Sequence, residues 1–396
     1  MQGKALPGFR DFYPDELALR NQIFATWRSV ATRYGFEEYD GPPLEPLELY
    51  TQKSGEEIAG QLYAFRDKGD REVALRPEMT PTLARMVGAR AQALKKPIRW
   101  FSIPQLFRYE RQQRGRLREH FQLNMDLIGE PGPLADAELI AAAIDILRAF
   151  GLGPRDVQAR LSDRRVLHAL LVGRGVGEEQ LSEAYAAVDR SEREPREAVE
   201  ARLQKGGWNQ QAIAALFDVA ALRGLDAIDT ALAQVPGGTE SGGFLRECCR
   251  SLEAMGLQDF IQVDLTVVRG LAYYTGIVFE VFDAGRNLRA ICGGGRYDGL
   301  LKALGGVDLP ALGFGMGDVV LGELLKDRGV APAAARRLDA FLVTVGGEDV
   351  PPVLRLAQVN PEPAPHWSAC SAGTASSACS PPCFPSSCSC QSCTSS

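Results

Sequence analysis

Nowhere does this chain hold an apolar run approaching the roughly 20 residues that a membrane-spanning helix needs. Its first residues, MQGKALPGFRDFYPDE, carry neither an apolar signal core nor the Arg/Ser-rich pattern of a transit peptide, so a cytoplasmic location is expected. Cysteine is sparse in the body: of nine, only Cys248, Cys249 and Cys292 precede residue 370, and six crowd between Cys370 and Cys393. That distribution reads as a reduced protein rather than a disulfide framework. An excess of positive charge is missing as well. A net charge of −6 argues against wholesale coating of nucleic acid, while leaving room for a local basic site on an acidic body. No GxxxxGK[ST] occurs among the glycines, which excludes a P-loop. From Val359 to Ser396 there is no lysine or arginine, and Glu362 is the one acid.

What is present is a globular composition, 45% hydrophobic and 24% charged, in 396 residues that suffice for two or three domains. The stretch Phe101–Gly129 reads as strand, basic loop, strand. Arginines stand at 108, 111, 114, 116 and 118, with Glu110 among them. Along the second arm Phe121, Leu123, Met125 and Leu127 alternate with Gln122, Asn124 and Asp126, the pattern of a half-buried strand with one wet face. An ordinary amphipathic hairpin accounts for the alternation but not for the arginine density. Guanidinium forks suit phosphate oxygens, and an amide beside a carboxylate suits a zwitterionic or cationic small molecule. Together they describe a site for ATP and an amino acid.

The segment FRYERQQRGRLREHFQLNMD resembles motif 2 of class II aminoacyl-tRNA synthetases, in the form found in histidyl-tRNA synthetases. Further segments extend the resemblance in chain order. A helical pattern over 14–34, started by Pro14 and stopped by Gly35, leads into an extended segment with Pro42 and Pro43. It resembles motif 1, the dimer interface of the class. ALRPEMTPT resembles the family's segment that holds the substrate α-amino group through Glu78 and Thr80. The same residues also fit a plain strand-to-helix connection, with Glu78 favoured by the helix dipole. Residues 134–150 read as a helix behind the motif 2 strands. Residues 155–250 show rising charge and no evident strand, and are expected to be a mostly helical insertion. Next, QVDLTVV predicts a strand running into RGLAYYTG, followed by a second strand, IVFEVFD. RGLAYYTG resembles the signature peculiar to histidyl-tRNA synthetases and their paralogues, with Ala272 where many relatives carry aspartate. The resemblance places Arg269 on the ATP α-phosphate and Tyr273 and Tyr274 at the histidine. GGGRYDGL is read as following a strand and opening a helix, with glycines that let backbone approach a ligand. Its Tyr297 resembles the family's second imidazole-contacting tyrosine. GFGMGDVVL occupies the motif 3 position, where most class II enzymes place an arginine for ATP. Val320 stands there instead, as in a branch of the family from plant organelles and some bacteria.

LDAFLVTVGGEDVPPVLRLA starts like an α/β anticodon-binding domain. Beyond residue 358 the Ser/Cys/Pro composition cannot bury enough apolar surface to fold, and reads as a disordered tail or as out-of-frame translation. CSCQSC lacks the second ligand pair of a zinc site. The expected fold is therefore α+β: the class II synthetase catalytic fold, an antiparallel sheet flanked by helices, with a helical insertion and an incomplete C-terminal α/β domain. Expected boundaries are 1–154 and 251–330 for the catalytic core, 155–250 for the insertion, 338–358 for the start of the anticodon-binding domain and 359–396 for the tail. The resemblance implies a homodimer that activates histidine with ATP and Mg²⁺, then transfers it to tRNA(His) in protein synthesis. Arg108 and Arg269 would stabilise the transferring phosphate, with Glu110 and Arg116 also on ATP. Glu78, Thr80, Gln122, Asp126, Tyr273, Tyr274 and Tyr297 would hold histidine, and no side chain is assigned to a metal. The alternative is a non-catalytic paralogue, the regulatory subunit of ATP phosphoribosyltransferase in histidine biosynthesis.

Overall fold

The computed structural model describes residues 3, 5–51, 60–110, 115–268, 274–285, 288–331, 340–358 and 367–371. They fall into two compact units, one ending at Ala333 and one starting at Ala334. In the first unit the strands are β1 (Glu37–Glu38), β2 (Leu44–Pro46), β3 (Tyr63–Arg66), β4 (Glu72–Leu75), β5 (Ile98–Ser102), β6 (Gln105–Phe107), β7 (Glu119–Ile128), β8 (Val157–Asp163), β9 (Ile261–Val263), β10 (Ile277–Asp283), β11 (Cys292–Arg296) and β12 (Ala311–Gly317). Nine of them form one sheet in the order β1-β5-β7-β12-β11-β10-β8-β9, with β6 paired to β7. Its central pairs, from β5 through β8, are antiparallel, and only the edge pairs β1–β5 and β8–β9 are parallel. β2, β4 and β3 make a separate small sheet.

The longest strand, β7, shows why the sheet forms as it does. Leu123, Met125 and Leu127 are fully buried on one face, in the core cluster with Trp27 and Ile23 of helix Pro14–Arg33 and the apolar residues of helix Pro133–Ala149. Both helices begin on a proline at the first turn, where a missing N–H costs nothing. The other face of β7 is polar but not wet: Asn124 and Asp126 are buried too. Neighbouring elements roof this face over, and strand periodicity alone carries no record of them.

In the first unit, three expectations change. First, Val157–Asp163 lies in the range expected to be helical, yet it pairs along its length with β10 inside the main sheet. Arg160 interrupts its apolar pattern and is nevertheless buried, because Asp264, Glu192 and Thr266 accept its hydrogen bonds. Helices follow from Arg164 to Ala254, as expected for the rest of the insertion. Second, the strand expected over 262–268 is limited to Ile261–Val263. Asp264 then turns the chain by accepting hydrogen bonds from the Thr266 amide (3.0 Å) and hydroxyl (2.7 Å). Third, Gly293, Gly294 and Gly295 form the strand β11 itself rather than a loop ahead of the helix, which starts at Leu300.

In the second unit, strand Ala340–Thr344 and helix Val350–Gln358 match the expected start of an α/β domain. Trp367–Ser371, within the stretch expected to lack structure, runs parallel to Ala340–Thr344. Ladder pairing draws on backbone N–H and C=O groups that every residue but proline supplies, so an uncharged composition does not forbid it. No helix among the described residues is long and apolar enough to cross a membrane.

Candidate active site

Six of the seven residues expected to hold histidine converge on one cavity of about 150 Å³: Glu78, Thr80, Gln122, Asp126, Tyr274 and Tyr297, with Arg108 and Asn124 also in its wall. The seventh, Tyr273, lies outside the described residues, as does Arg269. β4 ends at Leu75 and the helix Thr80–Arg90 starts just after Glu78, so the segment is the strand-to-helix connection, and its Glu78 and Thr80 line the cavity. Glu78 is buried within the site. β7 contributes Gln122, Asn124 and Asp126 at every second position. The Gln122 amide donates to Asn124 Oδ1 at 2.9 Å and the Asn124 amide to the Gln122 carbonyl at 3.1 Å, which fixes both side chains.

Opposite β7, the strand β12 leaves the room. Gly313 pairs with Asp126 and Gly315 with Asn124. A Cβ at Gly313 would lie 2.9 Å from Asp126 Cγ and 3.0 Å from the Met125 carbonyl oxygen, closer than packed atoms approach. Asp126 receives a hydrogen bond from the Tyr297 hydroxyl. Burial lifts its pKa to about 7, and the Tyr297 hydrogen bond only partly opposes that rise. A carboxyl so poised at the end of a narrow cavity suits a ring N–H donor.

A second, larger cavity of about 580 Å³ adjoins the first, and Arg108 lines both. The Arg108 guanidinium is held by donating to the Pro77 carbonyl at 2.9 Å, next to Glu78. Glu110 and Arg116, both expected at ATP, line this cavity and are ion-paired, Arg116 Nη2 standing 2.6 Å from Glu110 Oε1. Sequence reasoning missed His120, Arg193, Glu280 and Arg289, which share the wall. His120 continues the β7 alternation that gave Gln122 and Asp126, so that signal was available. Burial and the nearby arginines 108, 10 and 116 push its pKa down to about 3, leaving a neutral ring. Val320, on helix Asp318–Asp327, lines the same cavity and is buried. Arg10 ties the site's elements together, pairing with Glu119 of β7 (2.7 Å) and with Asp318 at the start of that helix (2.9 Å). Among the described residues no group of three or more His, Cys, Asp or Glu is arranged to hold a metal ion.

The antiparallel sheet, its helices and the paired cavities on its polar face constitute the catalytic fold of class II aminoacyl-tRNA synthetases. A solved Bacillus halodurans structure, described as an ATP phosphoribosyltransferase regulatory subunit/histidyl-tRNA synthetase, shares this fold with a TM-score of 0.80 at 22% identity, covering 95% of each chain. The family model for histidyl-tRNA synthetase matches residues 8–317. Histidine–tRNA ligase of Opitutus terrae is 51% identical over 347 residues, which are 87% of this chain and 79% of that protein. The chloroplastic/mitochondrial histidine–tRNA ligase of Arabidopsis thaliana is 44% identical over 332 residues, 84% of this chain and 68% of that protein. The chain belongs to the histidyl-tRNA synthetase family.

Proposed function

We propose that this protein is a histidine–tRNA ligase, forming histidyl-adenylate from histidine and ATP and then esterifying tRNA(His). The observation that carries this reading is Arg108, one guanidinium in the wall of both the small polar cavity and the larger arginine-lined one. Reaction requires the histidine carboxylate to meet the α-phosphorus of ATP, and that meeting point falls where the cavities join. Glu78 and Thr80 accept hydrogen bonds from the α-ammonium group, Gln122 orients the amino acid, and Asp126 with Tyr297 reads the imidazole. Because those groups are buried, a ligand lacking the ring donors leaves them unpaired, which is a strong basis for discrimination.

The carboxylate oxygen attacks the α-phosphorus in line, the bond to the β-phosphate oxygen breaks, and pyrophosphate leaves with its electron pair. No side-chain nucleophile is needed. Catalysis is positioning and charge stabilisation, with Arg108 donating to the α-phosphoryl oxygens as charge builds. By family resemblance Arg269, outside the described residues, also acts on the α-phosphate. Magnesium is commonly held by one or two carboxylates plus phosphate oxygens, and Glu110 and Glu280 in the larger cavity suit that role. A homodimer through the Pro14–Arg33 region and a cytoplasmic location complete the reading.

Histidine-dependent exchange of pyrophosphate into ATP tests it. The wild-type protein is expected to support exchange, and Arg269→Ala to lower it by about 10²–10³, the usual worth of one preorganised donor to developing charge. Histidine binding without any exchange would assign the chain to the regulatory paralogue instead.

A further inference from the structure

The larger cavity faces a problem of charge. Of its described cations, Arg116 is paired to Glu110, and Arg108 stands at the junction with the histidine cavity, committed to the α-phosphate end. Arg193 and Arg289 are both exposed, Arg193 with Asp189 3.5 Å away. The helix Asp318–Asp327 offers only the uncharged Val319 and Val320 to this space. Yet a nucleoside triphosphate brings most of its negative charge at the β- and γ-phosphates.

Arg289 occupies the right place. It lies between β10 and β11, and described residues on either side of it are tied back to β10: the Leu288 amide donates to Asp283 at 3.0 Å, and the Ile291 amide to the Val281 carbonyl at 2.7 Å. Its side chain converges with Val320 on one point of the arginine hairpin. A Cβ built on Gly115 would lie 3.3 Å from Val320 Cγ2 and 4.0 Å from Arg289 Cδ. Arg289 thus reaches the spot that Val320 lines without charge, from a different element.

We propose that Arg289 binds the β- and γ-phosphates of ATP, supplying from the β10–β11 connection the cation that Val320 does not provide from the helix. This rests on the larger cavity being the ATP site. A guanidinium there holds the leaving pyrophosphate in line with the attacking carboxylate and neutralises charge as it departs.

The test is equilibrium binding by calorimetry, with ATP and AMP as separate probes, to wild-type protein, Arg289→Gln, Arg289→Lys and Arg289→Gln combined with Val320→Arg. Hydrogen bonds to charged groups are worth about 1.5–3 kcal/mol, so Arg289→Gln is expected to weaken ATP about 10- to 100-fold. AMP, which lacks the contacted phosphates, should stay within about twofold. Arg289→Lys should fall between wild type and Arg289→Gln. Recovery of ATP affinity by arginine at 320 would exclude a merely structural role, because that arginine sits on another element. In pyrophosphate exchange, KM for ATP should rise in Arg289→Gln with KM for histidine unchanged. An ATP affinity unchanged by Arg289→Gln, or an equal loss of ATP and AMP, overturns the proposal and leaves the ligase reading standing. Wild-type protein that neither binds ATP nor supports exchange overturns both.

Discussion

Asp126 carries the selectivity argument at the scale of single residues, and its burial makes that argument measurable. Its folded-state pKa of about 7 lies above the ordinary carboxylate value because desolvation disfavours the charge. The unfolded chain therefore ionises first as pH rises, so Asp126 subtracts from stability progressively between about pH 4 and 7 and in full above that. Asp126→Asn should raise the melting temperature of the free protein at about pH 8 and do so far less at about pH 5, while weakening histidine binding at both. A melting temperature that drops at the higher pH would show that the charge stabilises the fold. Histidine affinity should also decline more steeply below pH 7 in wild type than in Asp126→Asn, since only the wild-type carboxyl is lost to protonation. The place of Asp126 on the cavity-facing side of β7 was legible because Gln122, Asn124 and Asp126 alternate against an apolar face. Its burial was not, because the covering Tyr297 is 171 residues away in sequence.

Among elements, the glycine strands β11 and β12 explain both a success and a failure of sequence reading. The partial success is position: the glycines of GGGRYDGL were expected to let backbone approach a ligand, and Gly293 does line the small cavity, beside Gly313 and Gly315 of β12, which were not singled out. Gly313→Ala should abolish measurable histidine binding, since the methyl group would press on the Asp126 carboxylate; calorimetry giving wild-type affinity would show that β12 can shift to make room. The failure is Arg296, which closes the glycine run and was passed over. It is 2% exposed, its Nε 3.2 Å from Asp136 Oδ2, and it donates to the carbonyls of Glu130 (3.0 Å) and Gly132 (3.1 Å). That pairing spans 160 residues, and no local pattern announces it. Removing one partner of a buried ion pair strands the other charge, at a cost of about 3–5 kcal/mol. Arg296→Met should lose about that much in chemical denaturation, and adding Asp136→Leu should recover a large part of it. Equal instability of the single and double variants would mean that the backbone carbonyl contacts, not the charge pair, hold this corner. Val157–Asp163 was missed for a related reason: Arg160 looks like a surface residue until its distant partners Asp264 and Glu192 are known.

For the molecule as a whole, the two half-reactions of a ligase make different demands, and this chain meets them unequally. The sheet and both smaller cavities lie within one compact unit, and every described residue expected to act in adenylate formation lines one cavity or the other. Transfer also needs tRNA, whose binding draws much of its strength from Lys and Arg contacts to phosphate. Residues 359–396 contain none. The first unit does offer a third cavity, about 1160 Å³, between the helices that follow β8 and the residues Val268, Tyr274 and Thr275. Arg164, Arg165, Arg190 and Arg193 line it, and Tyr274 belongs both to it and to the small polar cavity. A single-stranded 3′ end entering there would arrive beside the adenylate. Arg190→Glu should therefore raise KM for tRNA several-fold in aminoacylation while leaving pyrophosphate exchange within about twofold, because Arg190 lines this cavity and neither of the other two. In the unsubstituted protein, aminoacylation should need far more tRNA to saturate than exchange activity alone would suggest. Exchange that falls in step with charging in Arg190→Glu would place Arg190 in the activation site. Saturation of charging at tRNA concentrations ordinary for synthetases would show that the acceptor-end contacts of the first unit suffice without basic residues in 359–396.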